Sequence, residues 1–301
     1  MINFEKIKIQ DKKWIDPLLK AANLDGCHHN FGNLFAWSDI YDTRVAKIND
    51  YLVVKGGTEK EKQNYFYPAG SGDIKPVIEE MMMDAVECDH DFTLLGLSLD
   101  NIKVLDELFP GKFSYVEDRD SFDYVYLLDK LVSLSGRKLH SKRNHINSFK
   151  KKNQWSFEPI TLKNLGECWE MNVEWCKEVG CSSDDELKAE NCATRKYFKY
   201  FTDLGIEGGL LRVDNKVVAY TIGEILNSDT YVVHLEKAFR DIQGAYPMIN
   251  REFVACIKEK YPNIIYVNRE EDVGNENLRK AKESYYPHRM EEKYTATFVT
   301  K

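Results

Sequence analysis

Residues 231–286 read YVVHLEKAFRDIQGAYPMINREFVACIKEKYPNIIYVNREEDVGNENLRKAKESYY. The stretch opens as a strand: Tyr231, Val232 and Val233 are aromatic or β-branched, and Leu235 follows. Gly244 breaks it. Pro247 suits a first helical turn, where its fixed φ helps and its missing N–H is not needed. Ile249, Phe253 and Ile257 recur at helical spacing as one apolar face, and Pro262 ends that helix. NIIYV is a short buried strand and ENLRKAKESYY another helix. In a parallel or mixed sheet, ligands gather where strand ends meet helix N-termini, whose free N–H groups and dipole favour anions. The turn RDIQGAY and the loop NREEDVGNE fall at such points.

Outward from this stretch, WSFEPI reads as a strand, and NLGECWEMNVEWCKEV and DELKAENCATRKYFKYFTDL as helices. GGLLRVDNKVVAYTIGEIL is a hairpin turning at Asp214–Asn215, and RMEEKYTATFV is expected as one last strand. The first half nearly repeats that order. INFEKIKI is a strand, then come two helices, the first with Asp11 as N-cap, and a hairpin turning at Asn49–Asp50. YFYPAGSGDIK follows as a strand and glycine loop, either a phosphate cradle or a tight strand-to-helix turn. It lacks the Lys-Ser/Thr of a P-loop. A helix, a buried strand, a helix and two strands close the half. The halves agree in pattern, not in residues, so an internal duplication is expected. The fold class is α/β (α+β) with mixed sheets. The expected domains are 1–132 and 154–301, joined by a basic linker helix over 133–153.

The layout of residues 231–286 resembles the second half of a GNAT acyltransferase. The runs LSGRKLHSKRNHINSF, EKAFRDIQGAYPMINREF and YVNREEDVGNENLRKAKESYYP extend the likeness. They make the chain similar to the family named for the C-terminal domain of phosphatidylglycerol lysyltransferase. The resemblance covers most of the chain and implies two GNAT-like domains in tandem. It implies acyl or aminoacyl transfer from an activated donor, with aminoacyl-tRNA as one candidate donor and an amine or hydroxyl as acceptor. The lipid-modifying relatives carry membrane helices before this region, and none is expected in this chain.

Composition narrows the setting. A chain of 301 residues suffices for two cores, and 43% apolar with 12% aromatic content marks it as folded. The net charge of −7 argues against broad, non-specific nucleic-acid binding. Against that background GRKLHSKRNHINSFKKK places Arg137, Lys138, Lys142, Arg143, Lys150, Lys151 and Lys152 together with no acid among them. Only Leu139, Ile146 and Phe149 form an apolar stripe. Such a helix is either a solvated linker pairing with acidic surfaces or a ridge for a polyanion: a CoA phosphate, a tRNA acceptor arm or a lipid head group. Seven cysteines, an odd number without a CxxC pair, are expected as free thiols in a reducing cytoplasm. No apolar run is long enough to span a bilayer.

GNAT-type transfer needs a base and donors for an oxyanion. His234 and Glu236, two apart on a strand, are expected to share one side and act as the catalytic pair. Lys142, Arg143 and Asn144 are the most specific part of the basic run. In RDIQGAY, Asp241 and Gln243 depart from the usual Arg/Gln-x-x-Gly-x-Gly/Ala pyrophosphate turn, which disfavours acyl-CoA as cofactor. Gly244 and Tyr246 still offer backbone N–H groups, and Asn250 and Asn268 complete that side. Arg279, Lys282 and Tyr286 lie at i, i+3, i+7 on the last helix. With Glu271 and Asp272 they are expected to line a cleft and clamp a zwitterion such as an amino acid, or else to form surface ion pairs. No metal is expected. The alternatives to a transferase are a small-molecule or RNA-end binding protein of the same fold, or an ordinary acyl-CoA N-acyltransferase.

Overall fold

The computed structural model describes residues 2–57 and 63–299. The first half runs β1 (Glu5–Lys6), α1 (Lys12–Ala22), α2 (Phe31–Ala36), β2 (Arg44–Ile48), β3 (Tyr51–Gly56), β4 (Asn64–Phe66), β5 (Ala69–Gly70), α3 (Lys75–Glu87), β6 (Thr93–Leu97), α4 (Leu99–Leu108), β7 (Phe113–Glu117) and β8 (Asp123–Leu127). Next come α5 (Leu128–Ser133) and α6 (His140–Lys152). The second half runs β9 (Trp155–Pro159), α7 (Leu165–Val179), α8 (Asp185–Lys199), α9 (Phe201–Leu204), β10 (Glu207–Val213), β11 (Lys216–Ile225), β12 (Thr230–Ala238), α10 (Ala245–Lys260), β13 (Tyr266–Asn268), α11 (Glu276–Glu283), β14 (Arg289–Glu291) and β15 (Tyr294–Phe298).

Local chemistry accounts for these elements. Both hairpins turn where expected, at Asn49 (φ 50°) and at Asp214 and Asn215 (φ 49° and 68°), residues that tolerate the left-handed region. Met248, Ile249, Phe253, Val254 and Ile257 make the buried face of α10, and Ile146 and Phe149 that of α6. β3 and β12 are buried along almost their whole length, as strands covered on both faces are.

The two sheets have one plan. The first runs β1-β2-β3-β4-β6-β15-β7, with β5 attached to β3, and the second runs β9-β10-β11-β12-β13-β8-β14. Position for position the strand senses agree. Each sheet has three antiparallel pairings, then one parallel (β4 with β6, β12 with β13), then an antiparallel one (β6 with β15, β13 with β8). The duplication is therefore real at the level of topology. It carries an exchange: the last strand of each half is seated in the other half's sheet. β8 lies between β13 and β14, and β15 between β6 and β7.

Contacts accordingly divide the chain into Met1–Asp123, Glu271–Asn275 and Met290–Lys301 on one side, and Tyr124–Glu270 and Glu276–Arg289 on the other. The basic helix, expected as a linker, lies within the second unit. RMEEKYTATFV is two strands in two sheets rather than one, because the chain changes unit between Arg289 and Met290. One thiol expectation fails as well. Gly180 ends α7 in the left-handed region (φ 80°) and turns the chain back, so Cys181 meets Cys176 in a disulfide with Cα atoms 5.1 Å apart. Among the described residues no helix is long and apolar enough to cross a membrane.

Candidate active site

The site is built where β12 loses its neighbours. Its parallel pairing with β13 covers only Thr230–Val232 against Tyr266–Asn268, and beyond Val232 the strands part. Its register with β11 also slips: Leu235 opposes Ile222 and Val233 opposes Gly223, which leaves His234 as a bulge. The bulge ends the simple alternation of side chains, so His234 and Glu236 do not share a side as expected. The His234 ring stacks on Tyr197 of α8, with centroids 5.0 Å apart, whereas Glu236 meets Asn250 of α10.

His234 is locked between two carboxylates, with Nδ1 at 2.8 Å from Glu270 Oε1 and Nε2 at 3.1 Å from Glu224 Oε1. Burial disfavours its charge, but the two carboxylates outweigh burial and push the imidazole up to about 9. It is an imidazolium at neutral pH, already paired on both nitrogens, and therefore a poor base.

Glu236 lies in a buried polar group. Arg269, the first residue past β13, reaches across the gap and donates from Nη2 to Glu236 Oε1 at 2.9 Å. Asn250 Nδ2 donates to the other carboxylate oxygen at 2.8 Å. The guanidinium lies 4.9 Å from the Tyr285 ring centroid and 5.6 Å from that of Tyr126. Burial opposes its charge, yet Glu236 with Tyr126 and Tyr285 holds it above its ordinary value. Two atoms of this buried group, Arg269 Nη1 and Asn250 Oδ1, find no hydrogen-bond partner among the described residues. One is a donor and one an acceptor, and an unmet buried polar atom is costly.

Lys142 of α6 completes the group. Its Nζ sits 4.1 Å from the Tyr285 ring centroid. Burial, and next the Arg269 charge, push its ammonium down to about 8 in spite of Glu236. The site thus combines a permanent cation, a carboxylate and an amine that exchanges its proton near neutral pH.

A backbone device aims Arg269. Glu270 is left-handed (φ 57°), a strained state for a residue with a Cβ. Asn268 Oδ1 accepts from the Glu270 N–H at 2.8 Å, and buried Lys282 donates to the carbonyls of Arg269 (2.7 Å) and Glu270 (3.2 Å). Asn268 and Lys282, both expected to bind substrate, hold this turn.

The other expected residues divide. Arg143 donates to the Leu134 and Gly136 carbonyls, and so serves the end of α5. Asn144 is exposed, with its amide 3.3 Å from His140 Nδ1. Tyr246 is half-buried on α10, its phenol pushed up by burial. Tyr286 is half-exposed under Lys138, whose Nζ lies 5.0 Å from its ring centroid. Gly244 is left-handed (φ 91°) at the start of α10, and a Cβ there would lie 2.6 Å from the His145 carbonyl of α6. Arg279 lies partly exposed on α11 in the second unit. Of the acids expected beside it, both in the first unit, Glu271 accepts from Cys27 Sγ, and Asp272 pairs with Arg119 at 3.3 Å and accepts from the Gly274 N–H. The sequence does not mark Arg269, Tyr126 and Tyr285 as binding residues; its signal for Arg269 is a cation directly after a buried strand.

A family model described as "Phosphatidylglycerol lysyltransferase, C-terminal" matches residues 20–297. A crystal structure of a conserved protein of unknown function from Bacteroides thetaiotaomicron is 40% identical, covers 99% of this chain and 100% of its own, and superposes with a TM-score of 0.94. L-PGS from Bacillus licheniformis shares the fold at 14% identity and a TM-score of 0.66, over 97% of this chain and 93% of its own. An uncharacterised protein of Mycoplasmoides gallisepticum is 20% identical over 75% of this chain and 70% of its own. The twice-repeated strand plan is the tandem GNAT-like arrangement.

Proposed function

The chain belongs to the phosphatidylglycerol lysyltransferase C-terminal family, and from that premise we propose that its second unit is an aminoacyltransferase. It moves an aminoacyl group from an aminoacyl-tRNA to an amine or hydroxyl acceptor. The observation that carries this reading is the buried Glu236–Arg269 pair with one donor and one acceptor unmet, beside a lysine poised near 8. An aminoacyl ester supplies what those atoms lack. Its ammonium goes to Glu236 and Asn250 Oδ1, and its carbonyl oxygen to Arg269 Nη1. Neutral Lys142 takes the proton of the acceptor as that acceptor attacks the carbonyl carbon. Arg269 steadies the oxyanion in surroundings where water does not screen it. The new ester or amide bond forms, the bond to the ribose oxygen breaks, and the proton on Lys142 passes to the departing hydroxyl.

The packing of α6 supports tRNA over CoA as the source. In a GNAT acetyltransferase the turn before this helix receives a pyrophosphate. Here the His145 carbonyl and Phe149 crowd Gly244. Exposed Asp241 adds repulsion, while Lys151 and Lys152 border an open groove on α6 with Asn144, Asn147 and Ser148.

The test offers the purified protein labelled aminoacyl-tRNAs or acetyl-CoA, with hydroxylamine or lipid extract as acceptor. Transfer from charged tRNA is expected, falling about 10²–10⁴-fold in Lys142→Met. Stoichiometric binding of acetyl-CoA with acetyl transfer would overturn the choice of donor. Full activity in Lys142→Met and Glu236→Gln would overturn the site.

A further inference from the structure

The first unit contains a second group of chemically active side chains, which the transfer reaction does not use. Cys27, between α1 and α2, is 1% exposed, and Lys293, just before β15, is 6% exposed. Lys293 Nζ lies 2.6 Å from Asp123 Oδ1, 3.6 Å from Glu271 Oε2 and 3.4 Å from Cys27 Sγ. Cys27 Sγ in turn donates to Glu271 Oε2 at 3.0 Å, and its backbone N–H to Asp123 Oδ2 at 2.8 Å. The ligand atoms of Cys27, Asp123 and Glu271 lie within 4.8 Å of one another, a spacing that suits a metal ion. The Lys293 ammonium stands among them and already supplies the cation, so the group does not read as a metal site.

A different chemistry fits. A thiol and an amine are in van der Waals contact, walled off from water, with a carboxylate on each to move its proton. We propose that Cys27 and Lys293 are a modification site, joined by dioxygen through a covalent S–O–N bridge. The balance is simple. One thiol, one neutral amine and one dioxygen give the bridge and one water. Sulfur and nitrogen each lose two electrons, and dioxygen takes the four. One oxygen atom stays between S and N, and the other leaves as water with the thiol hydrogen and one amine hydrogen. The extra proton of the ammonium goes to Asp123, along the 2.6 Å contact. Burial selects the oxidant: dioxygen is small and apolar and enters a packed interior, whereas bulky thiols and disulfides are excluded. The bridge ties the α1–α2 loop to the strand that completes the first sheet, so oxidation makes that strand harder to detach.

Peptide mapping tests this on the whole protein, prepared once in air and once anaerobically with reductant. In the aerobic sample a tryptic species is expected that joins the Cys27 and Lys293 peptides and carries one added oxygen less two hydrogens. Cleavage after Lys293 and alkylation of Cys27 in denaturant should be lost together, and both should return after dithiothreitol. The Cys176–Cys181 disulfide lies on other peptides and does not interfere. The aerobic protein should also melt higher than the reduced one, a difference absent in Cys27→Ser. Full alkylation of Cys27 with normal cleavage at Lys293 in the aerobic sample would overturn the proposal. So would a joined species lacking the oxygen, or a Cys27 sulfinic acid with Lys293 unmodified. The mapping needs no variant, so a variant that fails to fold leaves it decisive.

Discussion

Removing the Arg269 guanidinium strands Glu236. The pair is nearly dry, with side chains 12% and 10% exposed, so breaking it from one side leaves a buried charge without its partner. Arg269→Met should cost about 3–5 kcal/mol in denaturant unfolding, while the double change with Glu236→Gln recovers much of that and stays inactive. A purely structural pair would lose stability in the same way but leave transfer intact in the double variant. His234 gives a separate pH signature. Its folded value, about 9, lies above the ordinary 6.5, so the native state holds a proton that the unfolded chain releases first. The stability this confers is complete below about 6.5 and is lost as the pH rises through 9, a fall of about 3 kcal/mol at most. Lys142 acts in the opposite sense and later, since its depressed value makes the unfolded chain the stronger proton binder above about 8. Unfolding free energies between pH 6 and 9 should slope downward in the native chain and flatten in His234→Gln.

At the scale of elements, the glycine turn and the Glu270 turn carry the geometry. Gly244→Ala puts a methyl group against the His145 carbonyl in a left-handed conformation. It should cost about 1–3 kcal/mol and push α6, with Lys142, off its seat. A thermal melt with a parallel transfer assay reads both effects. Lys282→Met takes the lysine donor from the Arg269 carbonyl, while the Glu270 carbonyl keeps the Tyr124 N–H; it should cost about 1–3 kcal/mol and free Arg269 to rotate. Activity should therefore fall further than the loss of stability accounts for. These elements also show what the sequence reveals and what it hides. Ile249, Phe253 and Ile257 announce α10 because helical periodicity is local, and Asp214–Asn215 announces its turn because left-handed φ is a property of the residue. The bulge at His234 is set by Gly223 and Ile222 on the neighbouring strand, so no spacing rule within 231–238 could exclude the His234–Glu236 pairing. Lys282 was readable as a cation on a helix face, but its partners are carbonyls of a turn more than ten residues earlier.

At the scale of the molecule, order along the chain and membership of a sheet are different things. The duplication was legible, since both halves repeat the same local signals. The exchange of last strands was not, because β8 and β15 carry nothing in their own residues to name the sheet they join. Deleting residues 290–301 removes an inner strand of the first sheet, not a tail, and leaves β7 without its neighbour. Such a chain should lose cooperative unfolding and protease resistance in Met1–Asp123. A truncated chain that keeps one sharp transition at the native midpoint would contradict the strand order.

The same exchange imposes a timetable on synthesis. β6 and β7 leave the ribosome early, yet the strand that belongs between them is made after the whole second half. At about 5–20 residues per second the nascent first sheet stands open for on the order of ten seconds or more. During that interval its unpaired edges can recruit strands from neighbouring nascent chains. β8 meanwhile is made ahead of every strand it will pair with. Yield in the cell should therefore depend on translation speed and on chaperones that shield unpaired strands, and much less on the stability of the finished fold.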